Sequence, residues 1–572
     1  MMSNNNIFKT FILALLFFII STYSHSNILD FSKDAKNISN YFSGSVAFNN
    51  FEYDVSKKYF DKFSKSEKEN NKFSSTFIQS LINLQKYNEA YSFSKSLDKK
   101  GSANFENKLF LGLYEFKTKN YTLAKLHFSK LDSNIKNPLI FEPLKISLIN
   151  WSEILISNNI KDIDKIKSMP DSFGSFKAIQ EVFAYCYFDN SDLDEKFSKI
   201  ILDESGKFYR YNFFFANYLI KKDREEEARS IIDLTIDKYP RNLLINQLKE
   251  NLNRDNFNKN QFSCNKPEHI LAEIFYAFAN ALSVQKKYEL SNLYINLSKF
   301  LNPNFLSYNA LLAENLLMLK KYQESKKIFE DLFKIGSFYK WHASKEIALI
   351  IEELDSSEKS LKYLNRIYKN IDKNIFRTFD FANFLRGHDK FSESIKLYSD
   401  ILSTMKSDNI MYPRILDRRG TAYERNGNWE LAEKDLLLSL KIEPNQAYTL
   451  NYLAYTWIEQ NKKTKEALSM LEKANNLKKN DGYITDSLGW AQYKLKNFNK
   501  AKFHLERAIQ MMPDDPVVND HFADCLWMID KKIQARYYWE YVLTLEDTED
   551  ELKKKIQNKL FLNIKQKIQN IH

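Results

Sequence analysis

The sequence predicts an all-α protein: an α-solenoid of antiparallel helix pairs, arranged as two arms joined by a linker. Three observations carry this expectation. Gly (11) and Pro (10) are scarce among 572 residues, so tight turns are few and helices are favoured. Hydrophobic residues make up 44% and aromatics 15%, enough for a large core. Small residues also recur with a period of 34 or 35 at Ala432, Ala467, Ala501 and Ala535. Each stands four positions before a bulky apolar residue, in turn Leu436, Leu471, Leu505 and Trp539. Three of them also stand seven before a small one, at Ser439, Ala474 and Ala508, and Val542 gives a looser fourth copy.

From the N-terminus, residues 1–26 read as an export signal. Lys9 precedes an apolar run from Phe11 to Ile20, and Ser24 and Ser26 offer small residues for cleavage. The run is shorter than the roughly 20 residues that span a bilayer comfortably. The mature chain is expected to begin near Asn27 and to be periplasmic or otherwise exported. The alternative is an uncleaved segment that anchors the protein in the inner membrane. No Cys follows the run, so lipid attachment is not expected.

Residues 27–252 read as divergent helical repeats. Tyr87 and Ala90 keep the spacing, as do Leu111-Gly112 with Tyr121, Ala124 and Phe128, and Ala216 with Ala228 and Pro240. The stretch 139–203 is helical in periodicity but out of register. The Asn-rich, weakly periodic segment 253–270 reads as the linker. Residues 271–412 resume the pattern with Ser in place of Ala, at Ser291, Ser325, Ser360 and Ser394. A second break at 406–413 precedes four well-formed units in 413–549. There Gly420 and Gly489 stand 12 before their Ala markers, Trp429 and Phe498 fill an aromatic slot, and Pro444 and Pro513 close units. The small residues let two helices approach closely, while Leu505 and Phe503 are expected to fill the space between one unit and the next. In 550–572, Leu552, Ile556, Leu560 and Ile564 recur every four residues. That segment is expected to be a helix capping the last apolar surface, rather than a membrane-surface helix.

This pattern resembles the tetratricopeptide (TPR) repeat superfamily over most of the chain. The segments LNYLAYTWIEQ, DGYITDSLGWAQYKL and DPVVNDHFADCLWMIDKKIQARYYW resemble, more narrowly, exported alphaproteobacterial TPR proteins of unassigned function. The resemblance implies right-handed superhelices of stacked helix pairs and a role in protein–protein assembly, and names no partner.

Composition excludes several other classes. Lys and Arg (84) and Asp and Glu (73) are interspersed, so the net charge of +11 forms no dense basic tract and a nucleic-acid partner is not expected. The three Cys, Cys186, Cys264 and Cys525, form no CxxC motif. Cys186 and Cys525 lie in apolar helical runs and are expected to be buried small hydrophobes. An odd count leaves at least one free thiol or an intermolecular bond. No HExxH, GxSxG, P-loop or GxGxxG occurs, so no catalytic residue, metal or cofactor is expected. "SFGSF" at 172–176 reads as a loop. His521, beside Asp520 and Asp524, reads as a hydrogen-bonded structural residue rather than an acid–base catalyst.

The expected site is a groove. In stacked units the first helix of each pair lines the inner face. Counting two before, two after and five after each Leu-Gly slot places Asp486, Trp490 and Tyr493 there, with Lys494 beside them. The next unit, with Phe522 in the Leu slot, contributes Asp520, Asp524 and Trp527. The preceding one contributes Asn451 and Tyr455. Such a groove is aromatic and acidic and suits an extended or helical protein segment carrying Lys or Arg. The alternative is that Trp490 and Trp527 pack between units. The function expected is an exported scaffold or adaptor in envelope complex assembly. A membrane-anchored TPR protein, a non-catalytic subunit of an envelope enzyme, and an enzyme or enzyme subunit with its active site in the divergent N-terminal third stay open.

Overall fold

The computed structural model describes residues 35–63, 71–131, 138–201, 209–254 and 261–569. The export segment 1–26 and the expected start near Asn27 lie outside them. Among the described residues all regular structure is helical. None of those helices is long and apolar enough to cross a membrane.

One close approach builds each repeat. Gly489, in helix Gly482–Lys494, faces Leu505 of helix Phe498–Met511, and a Cβ there would lie 2.7 Å from Leu505 Cγ. Gly420 faces Leu436 in the same way, and Gly44 and Gly112 face Phe60 and Phe128. Each partner stands 16 positions after its glycine, so one contact recurs from the first described helices to the last repeats. The serines that replace Ala are buried and satisfied. The hydroxyls of Ser291, Ser325 and Ser360 donate to the carbonyls of Ala279, Ala313 and Ala348, 12 positions earlier, at 2.7, 2.8 and 2.6 Å. An unpaired hydroxyl at these positions would be destabilising.

In several pairs the chain turns from the first helix to the second through one left-handed residue. Lys320 (φ 57°), Gly427 (φ 81°), Lys496 (φ 63°) and Asp530 (φ 64°) occupy that place. The next N–H then reaches back over the helix end, as Asn497 N–H does to the Gln492 carbonyl at 2.8 Å.

The chain divides after Ile371 into two compact units. This corrects the expected linker at 253–270 and moves the main boundary away from 412. Residues 261–270 pack within the first unit, with Phe262, Cys264, Pro267, His269 and Ile270 buried. Phe262, 2% exposed, packs on Phe183 and Phe214, with ring centroids 5.5 and 4.4 Å apart. Asn217 Nδ2 donates to its carbonyl at 3.1 Å. Cys264 forms a disulfide with Cys186, Cα–Cα 5.8 Å, so Cys186 is a bridging residue and not a free small hydrophobe. Cys525 is free and buried, as expected. Helix Pro267–Val284 follows at once.

The first unit also folds back on itself. Phe300, in helix Tyr288–Leu301, packs against Tyr87 and Phe110 of the early repeats, at centroid distances of 4.7 and 5.2 Å. Asn296 Nδ2 donates to Asn83 Oδ1 at 2.8 Å across 213 positions, and Lys117 reaches the Phe300 carbonyl. Buried Gln247 accepts from Phe338 N–H at 3.0 Å, tying helix Leu243–Asn253 to helix Ser337–Leu354.

The second unit is a row of five helix pairs. Their first helices are Ile375–Gly387, Tyr412–Arg425, Ala447–Glu459, Gly482–Lys494 and Pro516–Met528. Helix Asp550–Gln569 ends the row. Leu505 and Trp539 are buried here, whereas Phe503 is 65% exposed and fills no interface. Two positions from Leu505 on a helix point to its opposite side, which corrects that expectation.

Candidate functional site

Capping residues fix the register of the last first-helices. Asp481 accepts from Ile484 N–H at 3.1 Å. Asp515 accepts from Val517 and Val518 N–H, with Pro516 at the first helical position. The predicted inner-face residues then meet one another along the row. Asp486 Oδ2 lies 2.8 Å from His521 Nδ1, and both residues are buried. The Trp490 ring stacks on His521 (3.9 Å, 12°) and on Tyr493 (4.7 Å, 10°). Its Nε1 donates to Glu459 Oε1 at 2.6 Å. Trp490 thus bridges three consecutive repeats and is 6% exposed.

The expected open surface needs correction at three positions. Asp486, Trp490 and Asp520 are buried, the first two against His521 of the next first helix and the third against Trp539 and the C-terminal helix. Asn451, Tyr455, Tyr493, Lys494, Asp524 and Trp527 remain half-buried along the row. Lys494 Nζ lies 3.5 Å from Glu459 Oε1 and 5.5 Å from the centre of the Trp490 ring. The Trp527 ring rests against Trp539, 5.4 Å between centroids.

At the end of the row the chain supplies its own cations. Lys559 Nζ lies 2.6 Å from Asp520 Oδ1 and 2.5 Å from Asp524 Oδ1, and Lys555 Nζ lies 3.2 Å from Asp520 Oδ2. Trp539 Nε1 donates to both carboxylates, at 3.1 and 3.2 Å. Burial disfavours charge on Asp520, yet Lys559 and Lys555 hold it below the usual carboxylate value. Asp524 is pushed up by burial and by Asp520 beside it. Burial opposes protonation of His521, but Asp486, with Asp520 and Asp524 beyond it, raises the imidazole above its ordinary pKa. Burial pushes the Tyr493 hydroxyl up to about 12. These pairings tie neighbouring helices together. Among the described residues no group of His, Cys, Asp and Glu is placed to hold a metal ion.

No protein-family model matches the chain. Over 125 residues it is 33% identical to a TPR repeat-containing protein of Pseudomonas aeruginosa, covering 22% of this chain and 19% of that one. Over those residues the chain is similar to a protein with tetratricopeptide repeats. It spans about a fifth of the length of that curated relative. Similar solved structures include a tetratricopeptide repeat protein from Parabacteroides merdae, at 20% identity and TM-score 0.31, over 39% of this chain and 87% of that one. MamA from Desulfovibrio magneticus gives 18% and 0.27, over 32% and 96%.

Slot offsets in the repeat array give the inner-face residues of three first helices but not their partners. Glu459, Lys555 and Lys559 were missed. The signal for the lysines was present, since they stand four apart around Ile556 on the capping helix. "SFGSF" is also more than a loop. Gly174 (φ 49°) ends a short turn, and Phe173 and Phe176 line a hollow of about 790 Å³ in the first unit. Its wall includes Arg210, which is paired with Glu273 at 2.5 Å and lies 3.9 Å from the centre of the Tyr276 ring.

Proposed function

We infer that this TPR array is an exported scaffold or adaptor that binds other proteins during envelope complex assembly. The observation that carries the reading is the half-buried row Tyr455, Tyr493, Lys494 and Trp527 on the first helices of the second unit. Rings held rigidly by a packed row lose little entropy on binding, and Tyr and Trp are frequent hot spots. Two features support export. The first is the layout of residues 1–26. The second is the Cys186–Cys264 disulfide, since such bonds persist in oxidising compartments and are rare in the cytosol.

Affinity capture from the native host, with the chain tagged at its C-terminus, tests the scaffold. Tyr455→Ala with Lys494→Glu is expected to lose the captured proteins while the melting temperature holds. Unchanged capture by this variant rejects the row as the binding surface. Cell fractionation with N-terminal sequencing tests export, with a mature start near Asn27 expected. Intact chain beginning at Met1 in the membrane fraction would support the anchored alternative.

A further inference from the structure

The last acidic positions of the row are occupied by this chain itself. Lys555 and Lys559 stand one turn apart on helix Asp550–Gln569 and bracket Ile556, which is buried against the last repeat. Leu552 and Leu560 are half-buried beside it. Among the described side chains of that helix Ile556 alone is buried, whereas helix Phe498–Met511 within the row buries Ala501, Leu505, Ala508 and Ile509. The described part of the C-terminal helix is therefore held by Ile556, by the half-buried Leu552 and Leu560, and by a pair of lysines. One repeat upstream, Asp486 Oδ1 is buried and accepts no hydrogen bond from any described residue. Buried carboxylate oxygens are normally partnered, so this oxygen has capacity for a further donor.

Resting on the scaffold reading, we propose that helix Asp550–Gln569 is an internal ligand of the acidic site around Asp520 and Asp524. The partner is a helix of the same chemistry, an aliphatic stripe bordered by Lys or Arg four residues apart, and its binding displaces the C-terminal helix. The helix keeps the site closed for most of the time, and the partner's apparent affinity falls by the fraction of chains that are open.

The test titrates a fluorescent peptide of residues 550–569 into the full chain and reads anisotropy. Lys555→Glu with Lys559→Glu sets the chain's own helix against Asp520 and Asp524. This variant is expected to bind the peptide at least about tenfold more tightly than wild type. Adding Asp520→Asn and Asp524→Asn is expected to abolish that binding. Equal affinity for wild type and the charge-reversed chain, or binding by neither, overturns the proposal and leaves the helix a fixed cap. Circular dichroism checks that the repeats stay folded. If the reversal unfolds them, Lys555→Gln with Lys559→Gln is used, with the same order expected. A wild-type dimer that becomes monomeric on charge reversal would give the site to a second copy and also overturn the proposal. Native capture through Tyr455 and Lys494 is read separately. Capture that persists while the peptide fails removes this inference and leaves the scaffold standing.

Discussion

Buried beside Asp486 and under the Trp490 ring, His521 ties folding to pH. Its folded pKa is raised above the ordinary 6.5, so its stabilising contribution is complete below 6.5 and is lost as pH rises through the higher folded value. Melting temperature is expected to fall across that rise, and His521→Gln to flatten the profile. Asp520 has the opposite sign. Its lowered pKa stabilises above the ordinary 3.8 and is lost as pH falls through its folded value, so that loss lies in acid. Sterics decide at Gly489. Gly489→Ala drives a methyl into Leu505 and is expected to cost about 1–3 kcal/mol, read as a lowered melting temperature.

At the scale of the helix pair, much was legible in the sequence. The approach of two helices demands a small residue at a fixed place, so Ala432, Ala467, Ala501 and Ala535 show the period directly. The repeat of helices 35–49 and Tyr53–Phe60 is harder to read, because Ser56 replaces Ala and Ser43 replaces the Leu of the Leu-Gly slot, although Gly44 and Phe60 keep the spacing of 16. Offsets along one helix found Asp486 and Trp490. Nothing in an offset says that His521 will meet them from the next repeat, because that depends on how helices stack. The segment 253–270 misled for a related reason. Its polar letters surround Phe262 and Cys264, whose burial is set by partners at Phe183, Phe214 and Cys186. The disulfide closes a loop with a sequence separation of 78. Cys264→Ser is expected to lower the stability of the first unit by about 2–4 kcal/mol. Urea unfolding with and without reductant checks this, and the second unit's transition should not shift.

The whole molecule consists of two units, each with apolar clusters of its own. Residues 372–572 expressed alone are therefore expected to fold, with a helical circular dichroism spectrum and a cooperative melt. A melt without cooperativity would show that the second unit depends on the first. Within the second unit each repeat is supported chiefly by its neighbours, and helix Asp550–Gln569 covers the last one, so stability there should run as a sum along the row.

The return of Phe300 and Asn296 onto Tyr87, Phe110 and Asn83 has a mechanical consequence. A row of repeats touching only its neighbours is a spring, and it lengthens smoothly under load by small rotations between repeats. A row whose distant turns grip each other is a clasped bracelet. Pulled from its ends, the second unit should extend gradually at low force. The first should hold its length until the clasp at Asn83 and Phe300 gives way, then lengthen in one step. Optical-tweezer traces of the separate units would show a ramp for one and a step for the other, so that tension reaching this protein would be absorbed first by the repeats that carry the acidic site.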